Sequence, residues 1–102
     1  MTSVTDIRFK TNLDLKALGK RLGLTDIEFD YENEFEWITG TIDGHSLNIS
    51  RSHLTPAKET ETIILLKRDS GPKKTFPESL RVLLTQKLSA IGISTIADQR
   101  NA

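Results

Sequence analysis

The stretch that decides the fold is Ile38-Thr39-Gly40-Thr41-Ile42-Asp43-Gly44-His45-Ser46-Leu47-Asn48-Ile49-Ser50-Arg51. Asp43-Gly44 is a two-residue turn signal, because a tight hairpin turn whose twist matches its strands needs positive φ at both central positions. After it, His45 to Arg51 alternate polar and apolar, which at a period of two puts Leu47 and Ile49 on one face of a returning strand. Residues 38–42 form the outgoing strand, so an antiparallel hairpin is the frame for the rest.

Upstream, Asp26-Ile27-Glu28-Phe29-Asp30-Tyr31-Glu32-Asn33-Glu34-Phe35-Glu36-Trp37 alternates strictly. It is too long for one ordinary strand. A turn is expected at Glu32-Asn33-Glu34, with Asn33 in the left-handed position of a three-residue hairpin loop. That register sets Tyr31 opposite Phe35 and Phe29 opposite Trp37. It gathers the aromatics on one face and leaves Glu28, Asp30 and Glu36 on the other; a slip of one residue would mix the two kinds on both faces. A Trp among alternating aromatics is more often packed than presented, so Trp37 is expected in the core, with an exposed interface anchor as the other reading.

Downstream, Thr55-Pro56-Ala57-Lys58 breaks the pattern. Residues 61–67 then read as an inner strand whose apolar centre, Ile63-Ile64-Leu65-Leu66, suits burial on both faces. Thr75-Phe76-Pro77-Glu78 fits a capping box with proline inside the first turn, opening a helix over 77–91. Leu80, Leu84, Leu88 and Ile91 form its apolar stripe, Gly92 closes it, and Ile93-Ser94-Thr95-Ile96-Ala97 is expected as a last strand. At the other end, residues 5–10 read as a first strand with Ile7 and Phe9 inward. Thr11 and Asp14 signal a helix over 12–22 that buries Leu15, Leu18 and Leu22 and stops at Gly23. The order is strand, helix, four strands, helix, strand. It predicts an α+β two-layer sandwich, an antiparallel or mixed sheet with both helices on one face and the other face partly open to solvent.

At 102 residues and 11.4 kDa the chain has room for one domain with one core. Its 36% hydrophobic and 27% charged residues place it in the globular class. With no Cys it has no disulfide framework, thiolate metal site or Cys nucleophile, and it suits a reducing cytosol. The longest apolar run is four residues and the first residues have neither a basic nor an apolar leader pattern, so neither a membrane span nor a signal peptide is expected.

Sequence signatures of catalysis are missing: no G-x-S-x-G, H-E-x-x-H, Walker lysine loop or G-x-G-x-x-G occurs. His45 reads as an exposed strand residue after the turn and His53 as a strand-end residue beside Arg51; either would need an acid brought next to it to act as a base. No enzyme activity and no cofactor are expected. Glu28 and Asp30 would stand roughly 6.5–7 Å apart on one strand face, wide for one metal ion, and no Gly-containing calcium loop occurs. Asn48-Ile49-Ser50 matches the glycosylation pattern by chance, since it falls inside a strand. Lys67-Arg68 with Lys73-Lys74 could clamp phosphates, but four basic residues around a loop are more often a solvated surface, and nucleic-acid binding is not expected.

Formal net charge is zero, from 14 basic and 14 acidic residues, and that average conceals a segregation. Residues 26–45 hold seven acids and no Lys or Arg: Asp26, Glu28, Asp30, Glu32, Glu34, Glu36 and Asp43. Like charges across an antiparallel pair cost a few tenths of a kcal/mol to about 1 kcal/mol each, so the cluster calls for an explanation. Solvated charges on an edge strand block edge-to-edge aggregation. The functional alternative is an anionic face that steers and holds a cationic protein partner, with Trp37, Tyr31, Phe35 or Phe29 as anchor where one is exposed at the rim.

In size and layout, a small cysteine-free α+β chain with this carboxylate-lined hairpin resembles the immunity proteins of bacterial toxin systems. The resemblance rests on Asp26, Glu28, Asp30, Glu32, Glu34, Glu36, Trp37 and Asp43. It implies a cytoplasmic protein that neutralises a toxin domain by occlusion, using these residues as the partner-binding surface. Inhibitors of cationic nucleases are commonly acidic overall, whereas this chain is neutral. A small-molecule-sensing or regulatory binding module is the alternative.

Overall fold

The computed structural model describes residues 4–54, 60–67 and 74–95. Within them the chain runs β1 (Ile7–Phe9), α1 (Leu15–Leu22), β2 (Thr25–Glu32), β3 (Phe35–Ile42), β4 (His45–Ser52), β5 (Thr62–Leu66) and α2 (Glu78–Ala90). The strands form one sheet in the order β1-β5-β4-β3-β2, every neighbouring pair antiparallel. This is the α+β arrangement expected, with β1 and β2 as the edges.

The Asp43-Gly44 turn sets the register of the sheet. Both residues take positive φ, 51° and 78°, and the tight loop pairs Ile42 with His45, Gly40 with Leu47 and Ile38 with Ile49. That aligns Ile38 and Ile42 with Leu47 and Ile49 on one face, continued by Ile64 of β5 and by Ile7 and Phe9 of β1. Leu15, Leu18 and Leu22 of α1 and Leu80, Leu84 and Leu88 of α2 cover it, and all six are fully buried. One apolar cluster joins the sheet and both helices, with Ile91 packed partly buried against it.

The helix ends follow local chemistry. Helix α1 begins three residues later than the spacing predicts, because Asp14 is itself the cap: its carboxylate accepts from the Ala17 N–H at 2.8 Å. Both helices end in the same paired pattern. The Leu24 N–H reaches the Gly19 carbonyl and the Ile93 N–H reaches the Leu88 carbonyl, around residues with positive φ at Gly23 and Gly92. Leu24 and Ile93 then bury themselves beside the helices they terminate.

Four expectations need correction. The capping box of α2 does not form: Pro77 occupies the cap position in extended geometry, without a side-chain bond. The final strand is absent from residues 93–95, which are irregular because Ile93 is spent on the helix stop; Ile96 and Ala97 lie outside the described residues. Strand β5 is inner, between β1 and β4, but is buried on one face only, since Ile63 and Leu65 point to the side without helices and are half-buried.

The fourth correction is the β2–β3 register. The loop is two residues long, Asn33-Glu34, and the pairs are Glu32 with Phe35, Tyr31 with Glu36, Asp30 with Trp37 and Phe29 with Ile38. The aromatics therefore split: Phe29 and Tyr31 share the helix-side face with Glu36, and Phe35 and Trp37 lie on the opposite face with Asp30 and Glu32. The cause lies in β3. Its pairing with β4 commits Ile38 and Ile42 to the core, which forces Phe35 and Trp37 outward by alternation. Asn33 has φ 55°, its carbonyl oxygen lies 2.6 Å from His53 Nε2, and the His53 N–H donates to the Glu34 carbonyl at 2.8 Å. Asn33→Val should therefore cost about 1–2 kcal/mol through left-handed strain, while Asn33→Gly should not; urea unfolding midpoints of the two variants measure the difference.

Candidate site on the open face of the sheet

The face without helices is built by alternate residues of the strands. Glu28, Asp30 and Glu32 of β2 stand along one edge. Phe35, Trp37 and Thr39 of β3 come next, then Asn48, Ser50 and Ser52 of β4, then Ile63 and Leu65 of β5. One row across the sheet reads Asp30, Trp37, Ser50, Ile63, Arg8. The three carboxylates are exposed and Phe35 is 49% exposed, while Trp37, Ile63 and Leu65 are half-buried. Phe35 and Trp37 are thus bordered by acid on the β2 side and separated from Ile63 and Leu65 by the polar row of β4. On the β1 side the Arg8 guanidinium is held by Asp6 and Glu61 at 3.2 and 3.3 Å, and the Asp6 hydrogen bond raises its pKa further above its already high value.

The structure disperses the rest of the acidic set. Asp26 lies in a bulge, where it and Ile27 oppose Gly40, and takes φ 55°. Glu34 is in the β2–β3 turn. Asp43 is in the turn at the other end of β3, roughly 25 Å away at strand rise, so it does not belong to the same patch. Glu36 is on the helix side, its carboxylate 3.4 Å from Arg51 Nε, with 19% of its side chain and 6% of the arginine's exposed. The Arg51 guanidinium also donates to the Leu13 carbonyl at 2.8 Å, tying the approach to α1 onto the sheet. On that same side Phe29 and Tyr31 are exposed beside one another, and the Lys16 ammonium sits 5.4 Å from the Phe29 ring. Of the eight residues singled out in the sequence, Glu28, Asp30, Glu32 and Trp37 come together.

Trp37 is not in the core, against the expectation from its aromatic neighbours; its strand gives the inward positions to Ile38 and Ile42. Trp37→Ala should accordingly cost about 1–2 kcal/mol, below the ~3–5 kcal/mol of a fully buried large aromatic. Thermal or urea unfolding reads the value directly.

Phe35 is one of the aromatics expected as an anchor and is exposed beside Trp37, whereas Ile63 and Leu65 are not among the site residues the sequence offers. The available signal was the Asp43-Gly44 turn, whose register places Phe35 with Trp37, and β5's own alternation places Ile63 and Leu65 opposite the buried Ile64. Among the described residues no three His, Asp or Glu side chains converge as metal ligands, and no helix is long and apolar enough to cross a membrane. Comparison with protein-family models, with characterised proteins and with solved structures finds no match to the chain.

Proposed function

We propose that the chain is a binding protein that occludes a cationic protein partner through the open face of its sheet. The observation that carries this reading is the alignment of exposed Glu28, Asp30 and Glu32 beside Phe35 and Trp37. Carboxylates at the rim steer a basic partner and raise the on-rate, while aromatics at the centre supply the desolvated contact that slows release. Five strands about 4.8 Å apart and up to eight residues long span roughly 20 by 25 Å. That is at most about 500 Å², so the flanking loops would supply the rest of the ~800 Å² per partner of a standard interface. By resemblance in size and layout, the partner class is a bacterial toxin domain and the action is immunity by occlusion in the cytosol, without chemistry or cofactor.

A second reading has its own observation. The Asp30 carboxylate accepts from the Tyr31 backbone N–H at 2.8 Å, which ties up a donor of the edge strand, and the bulge at Asp26 interrupts the edge further. Both are devices that keep an edge from pairing with other chains. Passing native-cell extract over the immobilised chain separates the readings. Binding predicts a basic protein retained at low salt and released as the Debye length shrinks from about 8 Å at physiological ionic strength to about 3 Å at 1 M. Edge protection alone predicts no such protein. With the retained protein in hand, Trp37→Ala should raise its dissociation rate roughly tenfold or more and leave association nearly unchanged, as read by surface-immobilised kinetics.

A further inference from the structure

We infer that the chain carries a second binding site, for a phosphate monoester, in a cleft at the Asp43-Gly44 end of the sheet. The cleft has a volume of about 410 Å³ and is lined by Gly44, His45, Ser46, Leu66, Lys67 and Lys74. Three separate stretches meet there: the start of β4, the residues closing β5, and the approach to α2. Its floor is fixed, because the Lys67 N–H donates to the Ser46 carbonyl at 2.8 Å. Two residues beyond Lys74 the chain is anchored by buried Phe76, whose N–H donates to the Val4 carbonyl at 2.8 Å.

The chemistry of the lining selects the ligand class. Among the described residues two lysines, a histidine and a serine line the cleft, and no Asp or Glu does; Asp43 lies in the adjoining turn. A phosphate monoester brings a charge of about −1.5 to −2 at neutral pH and three strong acceptor oxygens, the complement of a lining that offers two lysines and a serine as donor residues. The acidic edge strand β2 is three strands from β5, about 14 Å at sheet spacing. That exceeds the Debye length of about 8 Å at physiological ionic strength, so its carboxylates repel an anion there little. The volume lies within the range of small-molecule pockets, about 300–1,000 Å³, and exceeds what one phosphate group fills, with Leu66 as an apolar wall for an organic body. Lys67 and Lys74 lie seven residues apart in sequence, and the fold brings them to one concavity with His45 and Ser46. Ser46 and Lys67 continue the open-face rows of β4 and β5, but the cleft lies at the end of the sheet away from Phe35 and Glu32, so its failure would leave the protein-binding proposal standing.

The test is a titration of the ¹⁵N-labelled full chain, followed by amide shifts, with glycerol 3-phosphate as probe and with glycerol and sodium chloride at matched concentration and ionic strength as controls. The proposal predicts saturable shifts at Gly44, Ser46 and Lys67 with glycerol 3-phosphate alone. It also predicts affinity weakened roughly tenfold or more in K67Q/K74Q, two exposed positions whose variant should melt like the parent. A parallel arm with phosphatidic acid vesicles distinguishes the source: co-sedimentation assigns the monoester to a lipid headgroup, and its absence assigns it to a soluble molecule. Shifts that rise linearly without saturation, that sodium chloride reproduces, or that persist unchanged in K67Q/K74Q overturn the site.

Discussion

Arg51→Ala should destabilise the chain by about 3 kcal/mol, a loss typical of breaking one side of a buried ion pair. The arginine side chain is 6% exposed, and among the described residues its polar contacts are the Glu36 carboxylate at 3.4 Å and the Leu13 carbonyl at 2.8 Å. Truncation leaves a largely sheltered carboxylate without its cation and a carbonyl without its donor, and it frees the segment leading into α1. The pair itself need not add net stability, since burying two charges costs about what their attraction returns. The double variant Arg51→Met with Glu36→Leu should therefore recover most of the loss. Urea unfolding of the two single variants and the double one gives the coupling energy; a loss below about 1 kcal/mol for Arg51→Ala would show that the pair is solvated and not structural.

The same pair explains what was legible in the sequence. The helical stripes at Leu15, Leu18, Leu22 and Leu80, Leu84, Leu88 were readable because each helix has one apolar periodicity and one face to bury. Strand β3 was not, because Trp37 and Ile38 are adjacent and apolar, so either parity could have faced the core. Reading the aromatics as a set chose the wrong one. The turn at Asp43-Gly44 held the answer: it registers Ile38 against Ile49 and Glu36 against Arg51, giving the inward carboxylate a buried cation from the next strand. Pairing across 15 residues is invisible to alternation within one segment. The cleft at Lys67 and Lys74 was half legible, as the two lysines stood out in sequence while their convergence with His45 and Ser46 depends on the sheet.

The acidic edge is the central functional claim, and the register decides how to alter it. Glu36 must be spared, because a positive charge there would face Arg51 inside the protein. Glu28, Asp30 and Glu32 are exposed along one side of β2, so reversing all three should leave the fold intact. Surface changes of this kind usually stay within about 0.5 kcal/mol each. Their effect should fall on association. Steering by a charged face raises on-rates by about ten- to a thousandfold, and reversal turns attraction into repulsion.

The most direct measurement is therefore the association rate of E28K/D30K/E32K with the basic protein retained from native-cell extract, taken at low and at 1 M salt beside the parent chain. The account predicts an on-rate reduced by about a hundredfold at low salt, a difference that closes at 1 M where charges beyond about 3 Å are screened. It also predicts a melting temperature within a few degrees of the parent's. A folded triple variant that associates as fast as the parent at low salt would contradict it.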